Sequence, residues 1–228
     1  MKAKLEILAL VLGFIGLFGT VTIAALPTWQ VSAYIGANLV VFETLWEGLW
    51  MVCYRQIDIN MQCKVYDSQL ILPYELQAAR GLVCISIALV TVSMIVTGCG
   101  IKKSNCCGDN MRRKNNTLAF GGSLFLISFF TTIIPVSLVA HSVIVKFYDP
   151  ALLDPQKQEL GQSIFIGWAT SGVLLATGVL LLISYSKRAS REEQHLNEDH
   201  FVAEKDILHL DSAHTPKTGS SFKFQEYV

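Results

Sequence analysis

The chain has 228 residues, of which 52% are hydrophobic and only 16% charged, with a formal net charge of +0. Length alone allows one or two soluble domains, but charges confined to a few segments exclude an ordinary soluble enzyme and give no basis for a nucleic-acid partner. The distribution of charge along the chain carries more information than its sum.

Residues 1–6 form a short N-terminus with Lys2 and Lys4. An apolar run follows at 7–26, and three more runs without Asp, Glu, Lys or Arg occupy 82–101, 118–140 and 160–186. Each reaches about 20 residues, the length a helix needs to cross a hydrocarbon core of roughly 30 Å. A helix satisfies its own backbone hydrogen bonds, so such runs read as membrane spans and not as strands. The first run exceeds a usual signal-peptide core, and Leu26-Pro27-Thr28-Trp29 is a poor cleavage site, so this segment is expected to be retained. The expected spans are 7–26, 81–101, 118–140 and 161–186.

Residues 27–80 form the first long loop. Runs such as Val40-Val41-Phe42, with Gly36-Ala37-Asn38 as a turn signal, predict strands across 29–64. Cys53 and Cys63, with nine residues between them, suit a clasp across a hairpin worth about 3 kcal/mol in loop-closure entropy. Residues 68–72 are expected to form a short helical turn that Pro73 interrupts. A loop of this size needs both the clasp and the membrane beneath it to hold its fold.

Within the second span, Cys84 and Cys99 read as packing residues. The loop 102–117 carries Lys102, Lys103, Arg112, Arg113 and Lys114, and Lys187, Arg188 and Arg191 follow the fourth span. By the positive-inside rule both termini are cytoplasmic, leaving 27–80 and 141–160 outside. That placement puts Cys53 and Cys63 where oxidation persists. Cys106-Cys107 falls at the inner face, where reversible palmitoylation and two reduced thiols are both open readings. The acceptor sequence Asn115-Asn116-Thr117 lies on the cytoplasmic side and is expected to stay unglycosylated. Gly121-Gly122 in the third span, and Gly167, Gly172 and Gly178 in the fourth, permit close helix approach.

The tail 187–228 is polar and mixed in charge, which predicts disorder. Its histidines, His195, His200, His209 and His214, place no pair on one helical face, so no metal site is expected. The spans hold no carboxylate or lysine for a proton relay. No catalytic constellation, phosphate-cradling loop or zinc spacing is present. His141, at an outer helix end, reads as a satisfied interfacial residue. The sequence therefore predicts neither enzyme activity nor a cofactor.

Trp29, Gly48-Leu49-Trp50, Cys53 and Cys63 resemble the W–GLW–C–C signature of claudins, the four-span strand-forming proteins of tight junctions. Arg80 matches the basic residue that opens the family's second span. Phe147-Tyr148-Asp149-Pro150 and Glu159-Leu160-Gly161 match its second outer loop, Gly167-Trp168 its fourth span, and Tyr227-Val228 its ending. Trp46 to Met51, Met61 to Lys64 and Gln77 to Gly81 are most similar to the branch containing claudins eight and seventeen.

The resemblance implies a left-handed four-helix transmembrane bundle under a five-stranded extracellular antiparallel sheet, four strands from the first loop and one from the second. It also implies polymerisation with other claudins into strands at the tight junction of the plasma membrane, side by side and across cells. Cation-conducting relatives carry carboxylates at the positions of Gln56 and Val65. Lys64 resembles the basic residue of cation-excluding relatives, with Arg55 as reinforcement, so the pattern leans toward a cation barrier with anion permeability. The alternative is that both are solvated surface charges paired with Asp58 or Asp67. Between Trp29 and Arg80 the acids exceed the bases by two (five against three), which points the other way but ignores orientation.

In side-by-side assembly the family inserts an apolar residue of its short helix into a pocket built here from Phe147, Tyr148 and Leu160. Gln69 holds the inserting position, which implies weak self-polymerisation. Phe147 and Tyr148 also fit contact across cells or anchoring at the lipid interface. The ending Glu226-Tyr227-Val228 suits PDZ capture by strand addition, with scaffolds of the zonula occludens type as expected partners. Palmitoylated cysteines common after the fourth span are replaced by Lys187-Arg188. A competing reading is a peripheral-myelin or calcium-channel-gamma type four-span subunit, without a paracellular pore.

Overall fold

The computed structural model describes residues 2–33, 44–56, 59–68, 72–101, 111–150 and 157–213. The element order is α1 (Lys2–Ala25), β1 (Gln30–Ser32), β2 (Thr44–Glu47), β3 (Met51–Gln56), β4 (Ile59–Val65), α2 (Tyr74–Gly100), α3 (Met111–Tyr148), β5 (Gln158–Leu160) and α4 (Gln162–Ala213). Contacts divide the chain into two units, Met1–Ser186 and Lys187–Val228.

All four helices are long and apolar enough to cross a membrane. Their outward faces carry large apolar side chains such as Phe14, Phe18 and Ile95, 63%, 75% and 64% exposed. Inward positions are often small or polar: Ser86, Ser93, Ser128, Thr132 and Ser171 are fully buried. In lipid, apolar burial does not drive helices together, so close packing and interhelical hydrogen bonds must. Ser86 Oγ lies 2.6 Å from Thr132 Oγ1 between α2 and α3. Gly16 admits Leu174, Gly167 admits Val136 and Gly178 admits Leu126, each where a Cβ would collide with the neighbour.

Two expectations for the bundle interior fail because their residues lie on the outward face. A Cβ at Gly172 would meet nothing within 4 Å, and the Cys84 thiol is exposed.

α3 overruns its uncharged segment at both ends, and each of the other helices does so at one end. α2 takes in Glu75 and Arg80, and α3 takes in Arg112, Arg113, Lys114 and Lys146. An uncharged run marks the hydrocarbon layer, whereas a helix continues until a backbone signal stops it. The expected disorder of the tail is corrected over 187–213, which is helical as part of α4. That stretch contains neither Gly nor Pro and is rich in Lys, Arg, Glu, Gln, Leu and Ala, all strong helix formers. The remaining tail residues, the turn signal at 36–38, the run at 40–42 and most of the 68–72 turn lie outside the described residues.

The five strands form one sheet in the order β4-β3-β2-β1-β5, antiparallel at every junction. A core cluster beneath it gathers Trp29 and Leu49 with Ile23, Leu76, Ala79, Val83, Val139 and Ile164. A second cluster around Val90, Leu118, Phe125, Leu174 and Leu181 fills the bundle farther from the sheet.

Candidate functional site

The join between sheet and bundle begins at Pro27. In α1 the carbonyl of Ile23 needs a donor four residues on, and that residue is Pro27, which has no N–H. Trp29 supplies the donor: its indole Nε1 reaches Ile23 O at 2.8 Å, and the whole side chain is buried. The tryptophan thus caps α1 and fills the top of the core in one placement. Its backbone N–H donates to Glu47 O at 3.0 Å, and its carbonyl accepts from Gly161 N at 3.1 Å. Thr28 extends the clamp to α4, with its carbonyl 3.0 Å from Ser163 N and its hydroxyl 2.8 Å from Ser163 Oγ.

Two glycines make this crossing possible. Gly48 lies against the Pro27 backbone, and Gly161 against the carbonyl of Thr28; a Cβ at either would overlap main-chain atoms. Main chain here cannot yield as a flexible side-chain tip does, and overpacking costs typically about 1–3 kcal/mol. Gly161→Ala is therefore expected to lower the thermal midpoint in detergent and the fraction reaching the cell surface. An unaltered midpoint would show that the crossing has slack.

Leu49 drops into the core at 1% exposure, while Trp50 remains 40% exposed. Arg80, one turn and a half into α2, holds this loop by donating from Nε to Leu49 O. Its guanidinium carbon sits 4.9 Å from the Trp50 ring centroid and 5.5 Å from that of Tyr66. Such stacking over aromatic faces is favourable for guanidinium. Tyr66 closes the arrangement through its hydroxyl, 3.2 Å from Gly48 O. Burial first, and the Glu47 carboxylate second, push the Tyr66 phenol up to about 12 against the opposing pull of Arg80. It is therefore a protonated donor at neutral pH.

Cys53 and Cys63 face each other directly across β3 and β4, Cα to Cα 4.0 Å, and are bonded. The register extends that row through Trp46 and Val31 to Glu159. The next row runs Lys64, Val52, Glu47, Gln30 and Leu160. Because side chains alternate along a strand, these rows project from opposite faces. Arg55 pairs with Thr44 and shares the cystine face. By this alternation Arg55 and Lys64 project from opposite faces of the sheet, beside a register shift between Tyr54 and Gln56, so they are not side by side on one surface.

Lys64 lies on the edge strand, with Nζ 2.6 Å from Asp67 and both side chains more than 70% exposed. This is the ion-paired alternative that the sequence left open. Val65 is 66% exposed, and Gln56 ends β3 opposite Ile59. Phe147 and Tyr148 stack edge to face at 5.4 Å, with Tyr148 78% exposed. Leu160 packs partly against the upper core, and Glu159 beside it is exposed. Asp58, Gln69, Cys106, Cys107 and Glu226-Tyr227-Val228 lie outside the described residues. Sequence reasoning does not single out Tyr66, Thr28 or Ser163; the missing N–H of Pro27 is the one available sign of the cap.

A family model described as PMP-22/EMP/MP20/Claudin matches residues 3–181. Claudin-17 of Sus scrofa is 47% identical over 177 residues, covering 78% of this chain and 79% of the relative. The chain belongs to the claudin family. Claudin-8 of Mus musculus is 47% identical over 176 residues, 77% of this chain and 78% of its own. Claudin-4 of Homo sapiens is 42% identical over 187 residues, 82% and 89% respectively. The first two relatives fall in the branch that the residue pattern indicated. In this claudin the signature residues are therefore a mechanical device: Trp29, Leu49 and Arg80 fix a disulfide-closed sheet on a four-helix base.

Proposed function

We propose that this claudin polymerises at tight junctions into paracellular strands that oppose cations and admit anions. The carrying observation is Lys64, a highly exposed base on the sheet's edge strand beside an exposed neutral Val65. Its pairing with Asp67 does not remove it from the reading, since exposed ion pairs contribute about 0–1 kcal/mol and are screened by salt. A fixed charge acts on passing ions within roughly 8 Å at physiological ionic strength. At 4 Å in water the interaction is about 1 kcal/mol, a factor of about five in relative permeability. Lys64→Glu is expected to shift the dilution potential of a claudin-deficient epithelial layer toward cations by at least that factor. Unchanged sign and size would remove Lys64 from the reading.

Orientation rests on the basic residues at the bundle end away from the sheet, Arg112, Arg113 and Lys114 among them, and on a disulfide that needs an oxidising compartment. Both termini are then cytoplasmic, and Val228 is presented to PDZ scaffolds of the zonula occludens type.

For side-by-side assembly, Gln69 replaces an apolar anchor and forfeits about 1–2 kcal/mol of burial. Cells expressing this claudin alone are expected to show sparse, discontinuous strands by freeze-fracture, with continuity restored by a co-expressed claudin. Extensive strands from this chain alone would contradict weak self-assembly.

A further inference from the structure

Among the described residues, the spanning helices bring three charges to the sheet end of the bundle: Glu75 and Arg80 on α2, and Lys146 on α3. Two of them answer each other, with Glu75 Oε1 3.7 Å from Lys146 Nζ and accepting from Ser142 Oγ at 2.6 Å. Arg80 has no such counterpart. No carboxylate among the described residues comes within 4.0 Å of its guanidinium, and the Nε bond to Leu49 O is its one hydrogen bond. The rings of Trp50 and Tyr66 lie against it but carry no net charge. The Nη donors are left without an acceptor.

This guanidinium opens onto lipid. A hollow of about 390 Å³ is lined by Trp50, Gln77, Arg80, Gly81 and Cys84. Arg80 stands just before the uncharged run 82–101, which marks the hydrocarbon layer. Trp50, 40% exposed at the rim, is a residue type that seats at headgroup level. One turn deeper, α2 turns small side chains outward. A Cβ at Gly81 would meet nothing within 4 Å, and Cys84 and Ala88 are exposed on the same face. A charged head thus stands over a shallow apolar shelf.

An ionisable residue of a spanning helix ordinarily has a partner, and the charge and the shelf together restrict which one. The guanidinium fork matches two oxygens of a phosphate, and a phosphodiester is the anion that phospholipids hold at this depth. A soluble anion would leave the shelf bare. A second copy of the chain packed through the same small residues would set Arg80 against Arg80. We propose that the shelf binds one phosphodiester lipid of the sheet-side leaflet, its phosphate on Arg80 beside Trp50 and an acyl chain over Gly81, Cys84 and Ala88. Because the same side chain holds Leu49 O, the lipid becomes part of the joint between sheet and bundle.

The test uses the full chain in maltoside micelles, which carry no phosphate, titrated with phosphatidylcholine bearing a photoreactive acyl chain. Saturable labelling of 77–88, mapped by peptide sequencing and displaced by unlabelled phosphatidylcholine, is the expected result. Diacylglycerol with the same chains is expected to compete about tenfold less well, since it lacks the charge-assisted bond. Gly81→Trp fills the shelf from an exposed position, leaves Arg80 and its bond to Leu49 in place, and abolishes saturation. The proposal is overturned if diacylglycerol competes as well as phosphatidylcholine, or if inorganic phosphate displaces the label as effectively as the lipid. It is equally overturned if Gly81→Trp labels like the parent, if label maps to other segments, or if oxidation joins Cys84 to Cys84 of a second copy and the label is lost with it.

Discussion

Trp29→Ala is expected to cost about 3–5 kcal/mol, the range for emptying a buried aromatic site, and to keep most of the protein from the cell surface. Three losses coincide. The cavity opens at the centre of the upper core, beside Ile23, Leu76 and Ile164. The Ile23 carbonyl loses its 2.8 Å donor, and Pro27 cannot replace it. The backbone of residue 29, which links β2 to the segment entering α4 through Glu47 O and Gly161 N, loses the side chain that sets its position. Trp29→Phe separates these effects, because it restores most of the volume but not the N–H. Its expected cost is about 1–3 kcal/mol, that of a buried acceptor left unpaired. Thermal midpoints of the purified variants and their surface-to-total ratios in cells provide the measurements. A phenylalanine variant as impaired as the alanine one would mean that the hydrogen bond, not the packing, dominates.

Removing the clasp with Cys53→Ser and Cys63→Ser together should destabilise the sheet by about 3 kcal/mol through the freedom returned to the unfolded loop. The effect is expected to be regional. β3 and β4 lie at the far edge of the sheet from β5, and the core beneath is held by Trp29, Leu49 and Arg80, which the substitution does not touch. Hydrogen exchange should therefore accelerate across Met51–Gln56 and Ile59–Val65 while the amides of α2 and α3 keep their protection. Loss of paracellular resistance with the protein still at the surface would follow. Equal acceleration in the helices would instead make the disulfide a determinant of the whole fold.

The spans are legible because lipid imposes a rule on every residue of a crossing segment: about twenty consecutive positions without charge leave few other readings. Cys53 and Cys63 are legible for a similar reason, since a short separation in a strand-rich loop admits few partners. The helical stretch after Ser186 is not legible from polarity, which excludes burial but does not exclude a helix. Composition there favours helix, with no glycine or proline from Lys187 to Ala213.

Lys64 and Arg55 show the other limit. They are nine positions apart and alike in charge, and nothing local tells whether they share a face. Strand register decides it, and register depends on pairings made across the whole sheet. The contact of Glu75 with Ser142 and Lys146 is of the same kind, since it joins residues 67 and 71 positions apart (142 − 75 and 146 − 75) on different helices.

By itself the sequence determined the number of crossings, the covalent clasp and the signature that marks a claudin, because each follows from rules that act residue by residue or over a short separation. Only the tertiary structure decided what the signature does, which bases share a surface, and where a buried carboxylate finds its partners. Those outcomes depend on which distant backbones come within hydrogen-bonding reach, and the packing of four helices under one sheet settles that for all of them together.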